Sequence, residues 1–434
     1  MIDNPERRSA RTRRASPLLG LLVTGLLAVT ACGGTSGGTN QAATGPPIKI
    51  GVLDDIAPSL AIEGAEMRVN TDLAIKQINA AGGIHGRRLE AVYADPKADP
   101  TEAVNLAQQL VQQQNVDVVT GAVLSSECLG VQNLMARLQV VYLASTGCAT
   151  EAFAAQQCNK YSFRFPPVGR QGIIPLATYI VNTYGKRWAI VYSDYAFGQS
   201  QLAAYTAGLQ AAGGSITKKI AIPLNETNVT PYVTSIPTDG SIDGLIDAQV
   251  GADLVRGTTV MAQFGINKKM PIVGIFGKER FAGVYPDSIT GSLGQGFELS
   301  DALAENKFDV EYHKAFRAQL AKEDANIITT LGGVDKAVPG TLGYQAYTTI
   351  MALKLGMLAS NFNGRADTNK LITALEKVSA KQGADFPGGD VIMNKSDHQG
   401  AMTTYIVKIN GQKEEVLSTL SPDKLPAVGS CQVK

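Results

Sequence analysis

The sequence predicts an α/β protein of two doubly wound parallel-sheet lobes, joined by a hinge that the chain crosses several times. Three observations carry this. Strand-like apolar runs alternate with segments of helical period, as parallel sheets covered on both faces require. The helix-to-strand corner Ala80-Ala81-Gly82-Gly83 returns as Ala211-Ala212-Gly213-Gly214, each time ahead of a strand. The 434 residues are enough for two domains of ordinary size. A single long sheet is the alternative.

The N-terminal stretch 1–31 is not part of either lobe. Arg7, Arg8, Arg11, Arg13 and Arg14 precede an apolar run from Leu18 to Ala31. That run falls short of the roughly 20 residues a transmembrane helix needs, and the pattern is that of a secretory signal peptide. It ends Leu27-Ala28-Val29-Thr30-Ala31-Cys32, small residues before a cysteine, which resembles a bacterial lipobox. The resemblance implies a lipidated Cys32; an ordinary signal peptide is the alternative. The stretch 32–47 is small, polar and nearly uncharged, and reads as a flexible tether.

Ile48–Leu53 is a strand, followed by the polar loop Asp54–Ser59. Ala65, Val69, Leu73, Ile75 and Ile78 recur at helical spacing up to about Ala81. Gly82-Gly83 ends that helix, since glycine accepts the left-handed conformation of a helix terminus. A strand follows over Leu89–Tyr93, a helix over Thr101–Gln113, a strand over Val116–Thr120 and another over Val140–Leu143. Ser125 and Ser126 stand at a helix start, where serine is a natural cap.

After Phe165-Pro166-Pro167 the pattern restarts. Trp188–Tyr192 is a strand, Gln199–Ala212 a helix, and Lys218–Ile222 and Ile242–Ile246 are strands. Helices are expected over Phe308–Leu320, Gly343–Leu358 and Asn369–Val378, and strands over Gly388–Asn394 and Met402–Ile409. Asn410-Gly411 makes a hairpin-type turn. The expected division is 48–165 with 299–388 as the first lobe, and 166–298 with 389–434 as the second.

Composition excludes some functions. The net charge is +1, so nothing electrostatic favours nucleic acid. The three histidines lie far apart and no CxxC pair occurs, so neither a metal nor a cofactor is expected. GxxxxGK[ST], HExxH and a strand-linked GxGxxG are missing, which argues against an enzyme. Of the five cysteines, Cys32 is reserved for the lipid; the remaining four allow three pairings. Cys148 and Cys158, close in sequence, are the expected disulfide; buried free thiols are the alternative.

Ligands of parallel α/β sheets bind beyond the carboxyl ends of the strands. The loops that matter are therefore Asp54–Ser59, Ala122–Ser126, Ala144–Cys148, Ser193–Gly198, Asp247–Gly251 and Gly274–Glu279.

Several motifs together carry a resemblance. They are Ile78-Asn79-Ala80-Ala81-Gly82-Gly83-Ile84-His85-Gly86-Arg87, the Asp95…Asp99-Pro100 turn, Val119-Thr120-Gly121 with Ser125-Ser126, Phe163-Arg164, Asp194…Phe197-Gly198 and Tyr344-Gln345-Ala346. Over about 48–409 the chain resembles the type I periplasmic solute-binding proteins of the leucine/isoleucine/valine-binding family, the receptors of ABC importers. The resemblance implies two lobes closing on a small polar or amphipathic solute, an amino acid or related compound. It also implies a membrane permease as partner and an extracytoplasmic location, with the lipid as anchor. Ser125, Ser126, Thr146 and Gly147 match positions that take the solute carboxylate, and Phe197 a position that covers it. In the family an aromatic follows the strand that ends near Ala248; here Gln249 and Val250 stand there. The family's ammonium-binding glutamate position is Phe276 here; Asp247, Glu279, or Asp54 and Asp55 are the candidates to replace it. A ligand-sensing receptor without a transport role is the alternative function.

Overall fold

The computed structural model describes residues 45–146, 148–153, 157–167, 169–274, 290–297, 306–410, 413–426 and 428. The chain begins β1 (Ile48–Leu53), α1 (Ala61–Ala80), β2 (Leu89–Ala94), α2 (Pro100–Gln112), β3 (Val118–Gly121), α3 (Ser125–Leu138), β4 (Tyr142–Ala144) and β5 (Ser162–Arg164). It continues through α4 (Gly169–Tyr184), β6 (Arg187–Ser193), α5 (Ala196–Ala211), β7 (Ser215–Ile222), α6 (Thr230–Thr234), β8 (Gly244–Ala248), α7 (Gly251–Gln263), β9 (Ile272–Gly274) and β10 (Leu293–Gly296). The last part is α8 (Lys307–Leu320), α9 (Ala325–Thr330), α10 (Thr341–Ser360), α11 (Thr368–Leu375), β11 (Ser379–Ala380), β12 (Val391–Asn394), β13 (Gln399–Met402), β14 (Thr404–Asn410) and β15 (Lys413–Leu420).

These strands form two sheets. The first runs β11-β12-β13-β5-β4-β3-β1-β2 and the second β15-β14-β10-β9-β8-β6-β7. The order β2-β1-β3-β4-β5 is repeated as β7-β6-β8-β9-β10, parallel throughout both runs. The duplication expected from the two glycine corners is thus present in the topology. It is present in their hydrogen bonds as well. Gly83 N–H reaches Ile78 O at 2.9 Å, and Gly214 N–H reaches Leu209 O at 2.7 Å. Gly82, Gly83 and Gly213 take positive φ (101°, 71° and 80°), the conformation for which glycine is needed.

Each sheet is covered on both faces. In the first lobe α1, α8, α10 and α11 pack on one side with Ile50, Val52, Phe163 and Tyr347. On the other side α2 and α3 bury Leu53, Val119, Tyr142 and Met135. In the second lobe α4 and α5 cover Trp188, Ile190 and Ile246, and α6 and α7 cover Val191, Leu245 and Ile272.

The chain passes between the sheets after β5, after β10 and at Thr403. The last crossing lies beyond the expected boundary at 388/389: β12 and β13 pair in the first sheet, and only β14 and β15 in the second. Sequence pattern does not distinguish the two memberships, because β13 and β14 are separated by one residue. The expected Asn410-Gly411 turn falls where β14 meets its antiparallel partner β15, with Asn410 opposite Lys413; residue 411 itself lies outside the described residues.

Arg164 braces this hinge. It is fully buried at the end of β5. Its Nε donates to Gln399 Oε1 on β13, and its Nη1 donates to the carbonyls of Cys148 (2.7 Å) and Ala149 (3.0 Å). Gln399 Nε2 in turn donates to Pro166 O at 2.9 Å, inside the first crossing. The guanidinium lies over the Phe153 ring, 4.6 Å from its centroid.

Candidate functional site

The carboxyl ends of both parallel runs face one cavity of about 90 Å³ between the lobes. The first lobe contributes Glu63 from the first turn of α1, Val123 after β3, Thr146 after β4, and Thr341, Leu342 and Gln345 at the start of α10. The second contributes Tyr195 and Phe197 at the start of α5, Gln201 one turn on, Gln249, Val250, Gly251 and Leu254 around the start of α7, and Gln295 on β10. Pro167, Gly169 and Phe297 come from the crossings and the start of α4. The N-termini of α5, α7 and α10 therefore open on the cavity with their positive poles.

The lobes meet around it. Ala252 N donates to Ser59 O (3.2 Å), and Thr150 N donates to Ser200 Oγ (3.1 Å). Tyr195 packs on Leu60, Met67, Val123, Leu124 and Ala346 of the first lobe. The structure is thus a closed arrangement.

Of the residues expected at the site, Thr146, Phe197 and Gln249 line the cavity. Thr146 Oγ1 donates to Ala122 O at 3.2 Å. Phe197 lies beside Tyr195, ring centroids 6.1 Å apart. Gln249 Nε2 donates to Asp247 Oδ1 at 3.0 Å. Gly147, Phe276, Glu279 and Cys32 lie outside the described residues.

The carboxylates considered for an ammonium do not line the cavity. Asp54 is fully buried, and burial pushes its carboxyl up to about 7 although Arg68 Nε donates to it at 2.7 Å. Asp55 accepts from Ala98 N (2.9 Å) and Val123 N (3.2 Å), tying together the loops after β1, β2 and β3. Asp247, also fully buried, holds the Gln249 backbone and side chain. Burial raises its carboxyl to about 7.

The serines also have other work. Ser125 is the first residue of α3 rather than its cap, and its Oγ accepts from Ala149 N at 2.9 Å. Ser126 is half-buried and does not line the cavity. The capping is done by Glu127, whose Oε2 accepts from Leu124 N (2.9 Å) and Val123 N (3.2 Å). Burial, with the neighbouring Asp55 carboxylate, raises Glu127 to about 9, so this side chain holds the proton that the pair shares.

Glu63, Tyr195, Gln201, Gln295 and Gln345 were not legible as site residues. Their sequence signal is that of ordinary helix and strand positions. Glu63 looks like the solvated face of α1 and is buried (5% exposed), near Gly251 at the start of α7 in the opposite lobe.

The expected Cys148–Cys158 disulfide is corrected. Cys148 is bonded to Cys128 in the first turn of α3, with a Cα–Cα distance of 6.5 Å, and Cys158 is held in a separate disulfide. Closeness in sequence misled here: α3 and the loop after β4 are brought together by adjacent parallel strands, whereas a short 3-10 turn at Thr150–Phe153 carries the chain away from Cys148.

Comparison with known proteins agrees with this architecture. A family model described as periplasmic binding protein matches residues 47–414. Leu/Ile/Val-binding protein homolog 6 of Brucella abortus is 25% identical over 207 residues, 46% of this chain and 50% of that protein. The chain thus spans about half the length of the curated relatives it matches. Among solved structures, an ABC transporter substrate-binding protein from Sphaerobacter thermophilus superposes with a TM-score of 0.73 at 20% identity, covering 87% of this chain and 99% of that one. A solute-binding protein from R. palustris in complex with benzoate gives 0.75 at 18% identity, covering 89% and 99%. An amino acid ABC transporter substrate-binding protein from Pseudomonas fluorescens gives 0.72 at 19%, covering 89% and 98%. These likenesses show the shared fold. The family match covers most of the chain, and it belongs to the periplasmic binding protein family, with the type I two-lobed architecture.

Proposed function

We propose that this protein is an extracytoplasmic, lipid-anchored receptor that captures a small polar or amphipathic solute between its lobes and delivers it to an ABC import permease. The observation that carries the reading is the interlobe cavity, walled by both lobes and by the N-termini of α5, α7 and α10. A solute held there touches both lobes only when they are closed, so its binding energy biases the open–closed equilibrium. The closed surface is then what a permease recognises. The relatives fit such a role: one binds benzoate and another is named for amino acids.

The test is a thermal-shift screen of amino acids, amides, amines and aromatic acids, followed by solution scattering with each hit. A hit at a hundred times its Kd is expected to stabilise the protein by about 2.7 kcal/mol and to reduce its radius of gyration. A hit that stabilises without compaction rules out the closure mechanism. A screen without any hit counts against the receptor reading. The anchor has its own test. Cys32→Ala is expected to move the protein from the membrane fraction to the soluble extracytoplasmic fraction; retention in the membrane excludes Cys32 as the lipid site.

A further inference from the structure

Cys158 lies in the first lobe, four residues ahead of β5, and is held in a disulfide. Its partner is neither Cys128 nor Cys148, which are bonded to each other. Of the five cysteines this leaves Cys32 or Cys431, and both lie outside the described residues. A lipidated Cys32 has no thiol to give. With Cys431 as the partner, the four remaining cysteines form two pairs and none is left over, as suits an oxidising compartment.

The course of the chain beyond β15 points the same way. β15 is the edge strand of the second sheet. After it the 3-10 turn Pro422–Lys424 packs on β13, a strand of the first sheet. Pro422 is buried, and so is Val428. Lys424 and Pro426 also share a groove with Pro175 of α4 and Ile406 of β14, in the second lobe. The end of the chain therefore lies beside the hinge, against elements of both lobes. β13 is the neighbour of β5, with Gln399 opposite Arg164, and β5 is the strand that Cys158 leads into. Cys431 follows Val428 by three residues, a reach of about 10 Å.

Resting on the extracytoplasmic, lipid-anchored reading above, we propose that Cys158 and Cys431 form a second disulfide that straps the C-terminal segment onto the first lobe. The ring so closed includes every strand of the second sheet. The second lobe thus leaves the first at the crossing after β5 and is returned to it covalently at its end. Three backbone crossings and one disulfide bound its motion, and the disulfide limits how far the cleft opens. The bond forms by exchange with an oxidised thiol–disulfide oxidoreductase of the export compartment. The S–S bond of the oxidant breaks, the Cys158 Sγ–Cys431 Sγ bond forms, and two electrons and two protons leave on the oxidant as its dithiol.

The pairing is read directly by peptide mapping of the exported wild-type protein, alkylated and digested without reduction by trypsin and a glutamate-specific protease. Cleavage after Glu151 separates Cys148 from Cys158. The expected species is 152–160 joined to 425–434, lost on reduction. Cys158 joined to Cys32 overturns the pairing and the lipid anchor together. Cys158 alkylated as a free thiol overturns the pairing and leaves the receptor reading intact. The strap has its own readout. Cys158→Ser combined with Cys431→Ser is expected to lower the melting temperature by about 4 °C or more and to enlarge the unliganded radius of gyration. An unchanged radius overturns the limit on opening. If the double variant does not fold, mild reduction of the wild type takes its place, since half-buried Cys158 is expected to be reduced before the buried Cys128–Cys148 pair.

Discussion

Arg164→Met is expected to destabilise the protein by about 3–5 kcal/mol in urea unfolding, the cost of taking one partner out of a buried charged network. The guanidinium satisfies two carbonyls after β4 and the Gln399 side chain on β13. Methionine fills most of the volume and none of those bonds. Burial already depresses Arg164 to about 9, with the Asp397 and Glu151 charges opposing, so the side chain is still charged at neutral pH and loses its full electrostatic role on substitution. Because Gln399 also holds Pro166, the variant loosens two crossings together, and solute affinity is expected to fall along with stability. A variant within about 1 kcal/mol of wild type shows that the network is replaceable by packing alone.

Asp247→Asn is expected to stabilise the protein at alkaline pH, by about 2–4 kcal/mol at pH 8. Burial raises the folded-state carboxyl from 3.8 to about 7. Below about pH 4 the side chain is protonated in both the folded and the unfolded chain and costs nothing. As pH rises from there to about 7, the unfolded chain releases its proton while the folded chain retains it, and stability falls by roughly 1.4 kcal/mol per pH unit. Above 7 the penalty is complete. Asparagine removes it, since its carbonyl can still accept from the Gln249 backbone and side chain. The difference between variant and wild type should therefore widen by at least about 2 kcal/mol from pH 5 to pH 8 in paired unfolding curves. A constant offset across that range shows that Asp247 does not titrate as described.

The parts of the fold legible in the sequence are those with local causes. The β1–α1–β2 corner follows from apolar spacing and two glycines, and its echo at Gly213-Gly214 gives the duplication. Less legible were elements whose cause is tertiary. Helix α4 carries Pro175 in its interior, a residue that argues against a helix when read locally. Strands β9 and β10 are short, and β12 and β13 join the first sheet only because β5 is there to pair with β13.

For the site the division is similar. Strand ends pointed to loops that line the cavity, with Thr146, Phe197 and Gln249 among the lining residues. Charge was a poor guide within those loops. Asp54, Asp55 and Asp247 sit at strand ends as ligand-binding carboxylates would, yet they are bound to Arg68, to backbone amides and to Gln249. The carboxylate that reaches the cavity, Glu63, sits in a helix that no sequence rule connects with α7 of the other lobe.

Gly169, Gly172 and Gly257 press against Gln201, Gln295 and Gln249, with a consequence for the shape of the cavity. Gly169, Gly172 and Gly257 make no chemical statement of their own, yet a single methyl at any of them collides with the glutamine it supports. The displaced amide has the cavity as its neighbour, so the methyl is paid for in solute volume and in the direction of one carbonyl. Gly172 and Gly257 thus shape the cavity without lining it. A lineage can reshape the cavity at Gly172 or Gly257 while every residue on the cavity wall stays the same. Comparing cavity walls alone will then sort two such proteins as identical when their cavities differ.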